Sequence, residues 1–125
     1  MSKLRTEVAA AMTGPLAVDN DGWRVGRFRF APDFTGFQGH FPEFPIVPAI
    51  VQVLAAQQVA ETGLGGPLRF GAVENAKFLM QIRPEQEITV RCRIKPRDES
   101  TLAECKLLCA GEIAAVFTLE FSQQV

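Results

Sequence analysis

The 125-residue sequence predicts an α+β fold, in which one curved antiparallel sheet wraps around a single long buried helix. Three observations predict it. From Ile50 to Ala60 the chain uses only Ile, Val, Leu, Ala and Gln, with no Gly or Pro. A run that is apolar on most helical faces belongs in a core. The second half of the chain then alternates with period two, most cleanly through Ile113, Ala115, Phe117, Leu119 and Phe121, as half-buried strands do. Several of these strands are also partly apolar on their second face. One small sheet cannot cover the helix on all sides, so a second subunit is expected to complete the burial, most simply as a two-fold dimer.

Length and composition bound the reading. With 47% hydrophobic and 22% charged residues, the chain is an ordinary globular sequence, expected as one domain over residues 1–125. A net charge of −1 gives no electrostatic footprint for nucleic acid or an anionic membrane. The apolar helix, at about 15 residues, is too short to insert across a bilayer. Cys92, Cys105 and Cys109 form no CxxC pair, so the pattern implies no metal site, disulfide framework or cofactor. A reducing compartment is the natural setting, and the opening MSKLRTEVAAAMTG lacks the apolar core of a signal peptide, so a cytoplasmic location is expected.

The elements follow in order. Ser2 to Met12 reads as a short helix with Leu4 and Val8 on one side, stopped by Gly14-Pro15. The turn Asp19-Asn20-Asp21-Gly22 separates a short strand, Leu16 to Val18, from a longer one, Trp23 to Phe30. Gly26 falls between the two phases of that strand, which suggests a bulge. Pro32 to Gln38 is a loop with Phe34 and Phe37 tucked inward. Pro42, Pro45 and Pro48 keep residues 40–47 extended and stiff, and Pro48 suits the first position of the helix, where its missing N–H is no loss. Gly63, Gly65, Gly66 and Pro67 end the helix. Strands are expected at residues 76–82, 88–94, 101–109 and 113–121, with Lys95 to Ser100 a charged connection and Gly111 a turn.

The residues around the only histidine resemble a known family. His40-Phe41-Pro42-x-x-Pro45-x-x-Pro48 is similar to the HFPxxPxxPG signature of the β-hydroxyacyl-(acyl carrier protein) dehydratases of fatty-acid synthesis. Ala76-Lys77-Phe78 followed by Arg83-Pro84 is similar to a later strand of that family. The resemblance covers roughly Phe28 to Phe121 and implies the hotdog fold. Two departures stand out. Ala49 replaces the glycine after the third proline, and Leu54 replaces the family's catalytic glutamate. With Pro84-Glu85-Gln86 in place of the family's Pro-Gly-Asp turn, the chain resembles the divergent dehydratase-like proteins of aryl-polyene and polyketide-type clusters as much as the housekeeping enzymes.

The implied reaction removes water from a 3-hydroxyacyl thioester to give a trans-2-enoyl thioester. It needs a base at C2, an acid for the departing hydroxyl and donors for the thioester oxygen. His40 suits the base, since an imidazole titrates near neutral pH. The helix start supplies the donors, because the N–H groups of Ala49, Ile50 and Val51 have no intrahelical partners and carry the positive end of the dipole. Leu54 cannot supply the acid. Glu43, beside His40, and Glu61, two turns beyond Leu54 on the same face, are the candidate substitutes, with solvated surface carboxylates as the plain alternative. Phe37, Phe41, Phe44 and Leu54 are candidates for an acyl pocket or simply core. Gln52, Gln57 and Gln58 are expected to satisfy core or interface polar groups. Arg91, Arg93, Lys95 and Arg97 could receive an acidic carrier protein or just be solvated. The substrate would be an acyl carrier protein or coenzyme A thioester, handled by a homodimer or a larger dimer-based assembly. Thioester hydrolysis and non-catalytic acyl binding or scaffolding are the rival readings.

Overall fold

The computed structural model describes residues 3–34, 37, 45–64 and 69–122. His40, Phe41, Glu43 and Phe44 lie outside the described residues. In chain order the elements are α1 (Lys3–Ala10), β1 (Ala17–Val18), β2 (Arg24–Arg29), α2 (Ala49–Leu64), β3 (Arg69–Phe78), β4 (Glu87–Arg97), β5 (Ser100–Cys109) and β6 (Glu112–Ser122). The strands form one antiparallel sheet in the order β1-β2-β4-β5-β6-β3. Helix α2 lies across β4 and β2, with a lesser contact to β5, and α1 packs against α2.

The period-two pattern of β4 to β6 is the buried face of this sheet, except at Ile113, which is exposed because a register shift at Leu107/Leu108 turns Ala114 inward instead. Phe28, Ile88, Val90, Cys92, Ala103, Leu107, Leu119 and Phe121 are all buried, and so are Val51, Ala56, Val59 and Ala60 of α2. Each large side chain withdrawn fully from water here contributes about 1.5–3 kcal/mol. Gly26 is not a bulge. The β2–β4 register runs unbroken from Arg24↔Cys92 to Arg29↔Glu87. The glycine instead permits a close approach, because a Cβ at this position would stand 2.8 Å from Val59 Cγ2.

Three boundaries differ from the sequence reading. Helix α1 ends at Ala10, and Met12 forms an isolated bridge with Phe28. Residues 95–97 are strand, and only Asp98 and Glu99 remain in the turn between Arg97 and its partner Ser100. Pro96 is tolerated because β2 stops at Arg24, opposite Cys92, leaving β4 with one neighbour beyond that point. The largest difference is β3, expected over residues 76–82 and found at Arg69–Phe78. Gly71, Glu74 and Asn75 are poor strand formers, so propensity hides its first half. Pairing to β6 imposes the strand, at the cost of register shifts at Phe70/Ala72 and Glu74/Lys77 and a left-handed Asn75 (φ 53°). The rest of the expected strand, residues 79–82, turns away and is pinned by Leu79 N–H and Met80 N–H donating to Ala114 C=O.

Candidate active site

The N-terminus of α2 is built by its lead-in. Pro48 stands one residue before the helix as its cap. Its carbonyl accepts from the amides of Val51 (3.0 Å) and Gln52 (3.1 Å). Val51 is therefore not one of the open donors expected from the sequence. Among the described residues, Ala49 and Ile50 carry the amides with no backbone acceptor. One residue earlier, Val47 N–H donates to Ile82 C=O at 2.7 Å, tying the lead-in to the segment that follows β3. Between these two stretches lies a cleft of ≈370 Å³, walled by residues 46–49 and Gln52 on one side and residues 78–81 on the other. That size falls within the range of small-molecule sites. The walls join open backbone donors to apolar side chains, with Phe78 (43%) and Leu79 (60%) exposed and Ile50 (56%) exposed on the first turn of the helix.

The structure separates the remaining expected residues. Leu54 is half-buried and packs against the core. Phe37 is buried in an aromatic ladder, edge-on to Phe34 at 5.6 Å, which in turn meets Phe30 at 4.7 Å. Glu61 is buried in the contact between the two helices, where Arg5 of α1 forms an ion pair with Oε1 and Gln57 Nε2 donates to Oε2 at 3.3 Å. Gln58 donates to the Thr62 hydroxyl at 3.4 Å. Gln52, only 5% exposed, donates from Nε2 to Val47 C=O at 3.1 Å. Among the described residues no donor reaches its Oε1.

The basic residues on the opposite face of the sheet are matched by acids. Arg91 pairs with Asp19, Arg93 and Lys95 with Glu104, and Arg97 with both Glu74 and Glu120. Arg91, Arg93 and Lys106 also ring the buried Trp23 indole, at 4.9, 4.7 and 5.3 Å from its centre. The sequence reading missed two features. The wall at residues 78–81 was hidden by its apparent strand alternation. Cys92 and Cys105 are opposed across β4 and β5, their sulfurs 3.4 Å apart as free thiols, a relation between residues thirteen positions apart that only the strand register sets. The Cys92 sulfur and burial together push the Cys105 thiol well above its ordinary value, so Cys105 stays protonated and inert.

Comparison with known proteins places this geometry. Residues 18–115 match the family model of the ApeI-like proteins, described as ApeI dehydratase. The 3-hydroxyacyl-[acyl-carrier-protein] dehydratase FabZ of Streptococcus equi subsp. zooepidemicus is 30% identical over 94 residues, covering 69% of this chain and 67% of that protein. FabZ of Lactococcus lactis subsp. cremoris is 28% identical over an equal length, covering 65% of the relative. Among solved structures, the dehydratase heterocomplex ApeI:P from Xenorhabdus doucetiae superposes with a TM-score of 0.67 at 19% identity, covering 81% of this chain and 88% of that one. The E. coli PaaI protein from the phenylacetic acid degradation operon superposes with a TM-score of 0.71 at 11% identity, covering 97% and 90%. A curved antiparallel sheet carrying one long helix is the architecture these structures share. The chain has the hotdog fold and belongs to the ApeI-like dehydratase family.

Proposed function

We propose that the protein dehydrates 3-hydroxyacyl thioesters, with the thioester seated in the cleft at the start of α2. The carrying observation is the open amide of Ala49, a residue on the wall of a partly apolar cleft, with the open amide of Ile50 next to it in the chain. Such donors stabilise the negative charge that gathers on the thioester oxygen as the C2 proton leaves, and the helix dipole adds to them. His40 is the base. It lies five residues before Pro45, and five extended residues reach about 17 Å at most, so the cleft is within its range. The reaction is neutral overall in protons. A proton leaves C2, the C3–O bond breaks, and one proton must reach the departing oxygen. Its source is Glu43 or the imidazolium of His40 itself, and Glu43→Gln separates the two. Glu61 would first have to leave Arg5 and Gln57.

The substrate is an acyl carrier protein or coenzyme A thioester, the first of these being the substrate named for the FabZ relatives. The four basic residues weighed for carrier docking already hold carboxylate partners, so a carrier would have to compete with those pairs. Strand β3 is an open edge of the sheet, and it bears exposed Phe70, Val73 and Phe78. An edge of this length and composition calls for a partner strand, and a second hotdog subunit pairing there would form a dimer and close the cleft. Because Leu54 replaces a carboxylate, and because the ApeI structure is a heterocomplex, the second subunit could be a different chain that supplies the acid. Among the described residues no helix is long and apolar enough to cross a membrane, and we assign the protein to the cytoplasm.

The test is direct. Purified protein is given 3-hydroxyacyl thioesters of short, medium and long chain, and enoyl thioester and free thiol are both followed. Enoyl product that disappears in His40→Ala supports the dehydratase. Free thiol without enoyl product makes it a hydrolase, and binding without turnover makes it an acyl-binding subunit.

A further inference from the structure

Gln52 presents a polar atom whose needs the fold leaves half met. The residue stands one turn into α2, 5% exposed, and its Nε2 donates to Val47 C=O at 3.1 Å. That bond fixes the orientation of the carboxamide, since only the nitrogen can donate to a carbonyl. It also folds the side chain back toward the helix N-terminus, the direction that helical side chains favour. Oε1 shares a carbon with Nε2, so it lies beside the same turn. It is buried, and among the described residues nothing donates to it. Gln52 lines the cleft that Ala49 and Phe78 also line. A buried acceptor left unpaired is unfavourable, so a position that keeps one must gain a donor from elsewhere.

We propose that Gln52 is the residue that recognises the substrate's 3-hydroxyl group, whose O–H donates to Oε1 while the thioester oxygen meets the Ala49 and Ile50 amides. The proposal rests on the acyl-thioester reading above and adds a specificity determinant to it. Both contacts come from one turn of one helix. The thioester carbonyl and the 3-hydroxyl sit two carbons apart in the substrate, and Ala49 and Gln52 are separated by a rise of about 4.5 Å. Gln52 cannot give up a proton, so its part is selection and orientation of the hydroxyl for departure. A site that hydrogen-bonds a substrate hydroxyl rejects the analogue lacking it, because the buried partner is then left unpaired. An acyl thioester without the hydroxyl, whether saturated substrate analogue or downstream product, is thereby discriminated against.

The test uses matched hydrolysis-stable amide analogues of acyl-pantetheine, in which N–H replaces the thioester sulfur and the carbonyl is kept, with and without the 3-hydroxyl, at several chain lengths. The full-length protein should bind the hydroxylated member about 10- to 100-fold more tightly, and Gln52→Leu should cut that preference to about threefold or less while binding of the deoxy member holds or improves. A preference kept intact in Gln52→Leu overturns the proposal, as does an equal loss for both members, which would mark a structural role. If Gln52→Leu does not fold, the side-chain amide signal of Gln52 in the unmodified protein decides by NMR. It should shift with the hydroxylated analogue and not with its deoxy match. Equal shifts, or none, mean that water or the pantetheine arm satisfies Oε1, and the assignment fails. If the unmodified protein binds neither member at any chain length, the acyl-thioester reading falls as well. If it dehydrates substrate while Gln52→Leu still discriminates, only the assignment of Gln52 falls.

Discussion

Nine residues apart on α2, Gln52 and Glu61 are buried almost equally, at 5% and 7% exposure, yet they live under opposite conditions. Glu61 is surrounded by donors: Arg5 from α1 and Gln57 from one turn earlier. Gln52 has one partner, the carbonyl of its own lead-in, and an oxygen with none among the described residues. The C-terminal half of the helix uses its polar groups to hold two helices together. The N-terminal turn leaves an acceptor and two amides open beside a cleft. A fold that satisfies a buried carboxylate in full has no general difficulty in satisfying a carboxamide, so the shortfall at Gln52 sets the N-terminal turn apart and is what the proposed site makes use of.

Perturbing each end should therefore move a different observable. At the reactive end, His40→Ala should lower turnover by about 10²–10⁴-fold, the usual contribution of a general base, with little change in melting temperature. At the structural end, Glu61→Ala leaves the Arg5 guanidinium without its main partner in a mostly buried contact. Breaking buried pairs costs about 3–5 kcal/mol, and the partial exposure of Arg5 brings the expectation here to about 2–3 kcal/mol, roughly a 10 °C fall in Tm. A turnover loss far below the Tm that matches His40→Ala would instead make Glu61 the missing acid. Gly26→Ala, beneath the middle of the helix, should cost about 1–3 kcal/mol by driving a methyl group into Val59.

The finest comparison sets the two equally buried glutamines side by side. Gln57→Leu removes a donor from a carboxylate and should cost about 1.5 kcal/mol or more. Gln52→Leu loses one bond to Val47 but also removes an unpaired oxygen, so its net change should stay within about 1 kcal/mol. Equal costs in urea titrations would erase the distinction between the two ends.

The far face of the sheet supplies the smallest expected effect. Partial burial pushes the Asp19 carboxyl up, but hydrogen bonds from the Arg91 side chain and the Trp23 and Asp21 amides outweigh this and hold it below the usual value. Arg93, joined by Lys95, holds the Glu104 carboxyl below its usual value despite some burial. Both carboxylates bind protons more weakly folded than unfolded. Their stabilisation is thus complete at neutral pH, begins to fade as pH falls through the ordinary carboxylate range near 4, and is gone below their folded values. Melting curves taken from neutral to acid pH should steepen there, and Glu104→Gln should flatten part of that slope.

Much of the fold could be read from the chain because local pattern and global burial agree in α2 and in β4 to β6. The first half of β3 was hidden because its residues are poor strand formers and its conformation comes from β6, roughly fifty residues later. The helix start behind Pro48 was legible, whereas the reading of His40 and Pro42 falls outside the described residues. The fate of Glu61 was not, since its partner lies fifty-six residues away in a helix with no sequence sign of contact. The half-met state of Gln52 was equally invisible. The glutamine was recognised as one that bonds backbone, but which of its atoms stays open depends on where Val47 stands.

Phe78 ends β3 and also walls the cleft. In the proposed assembly, the chain that lines up along that open edge therefore also sets the shape of the chamber next to Gln52. Choice of companion and choice of substrate would then become one variable. A cell holding several hotdog chains could then obtain different acyl selectivities from this one polypeptide by changing what it is paired with, without altering a residue of it.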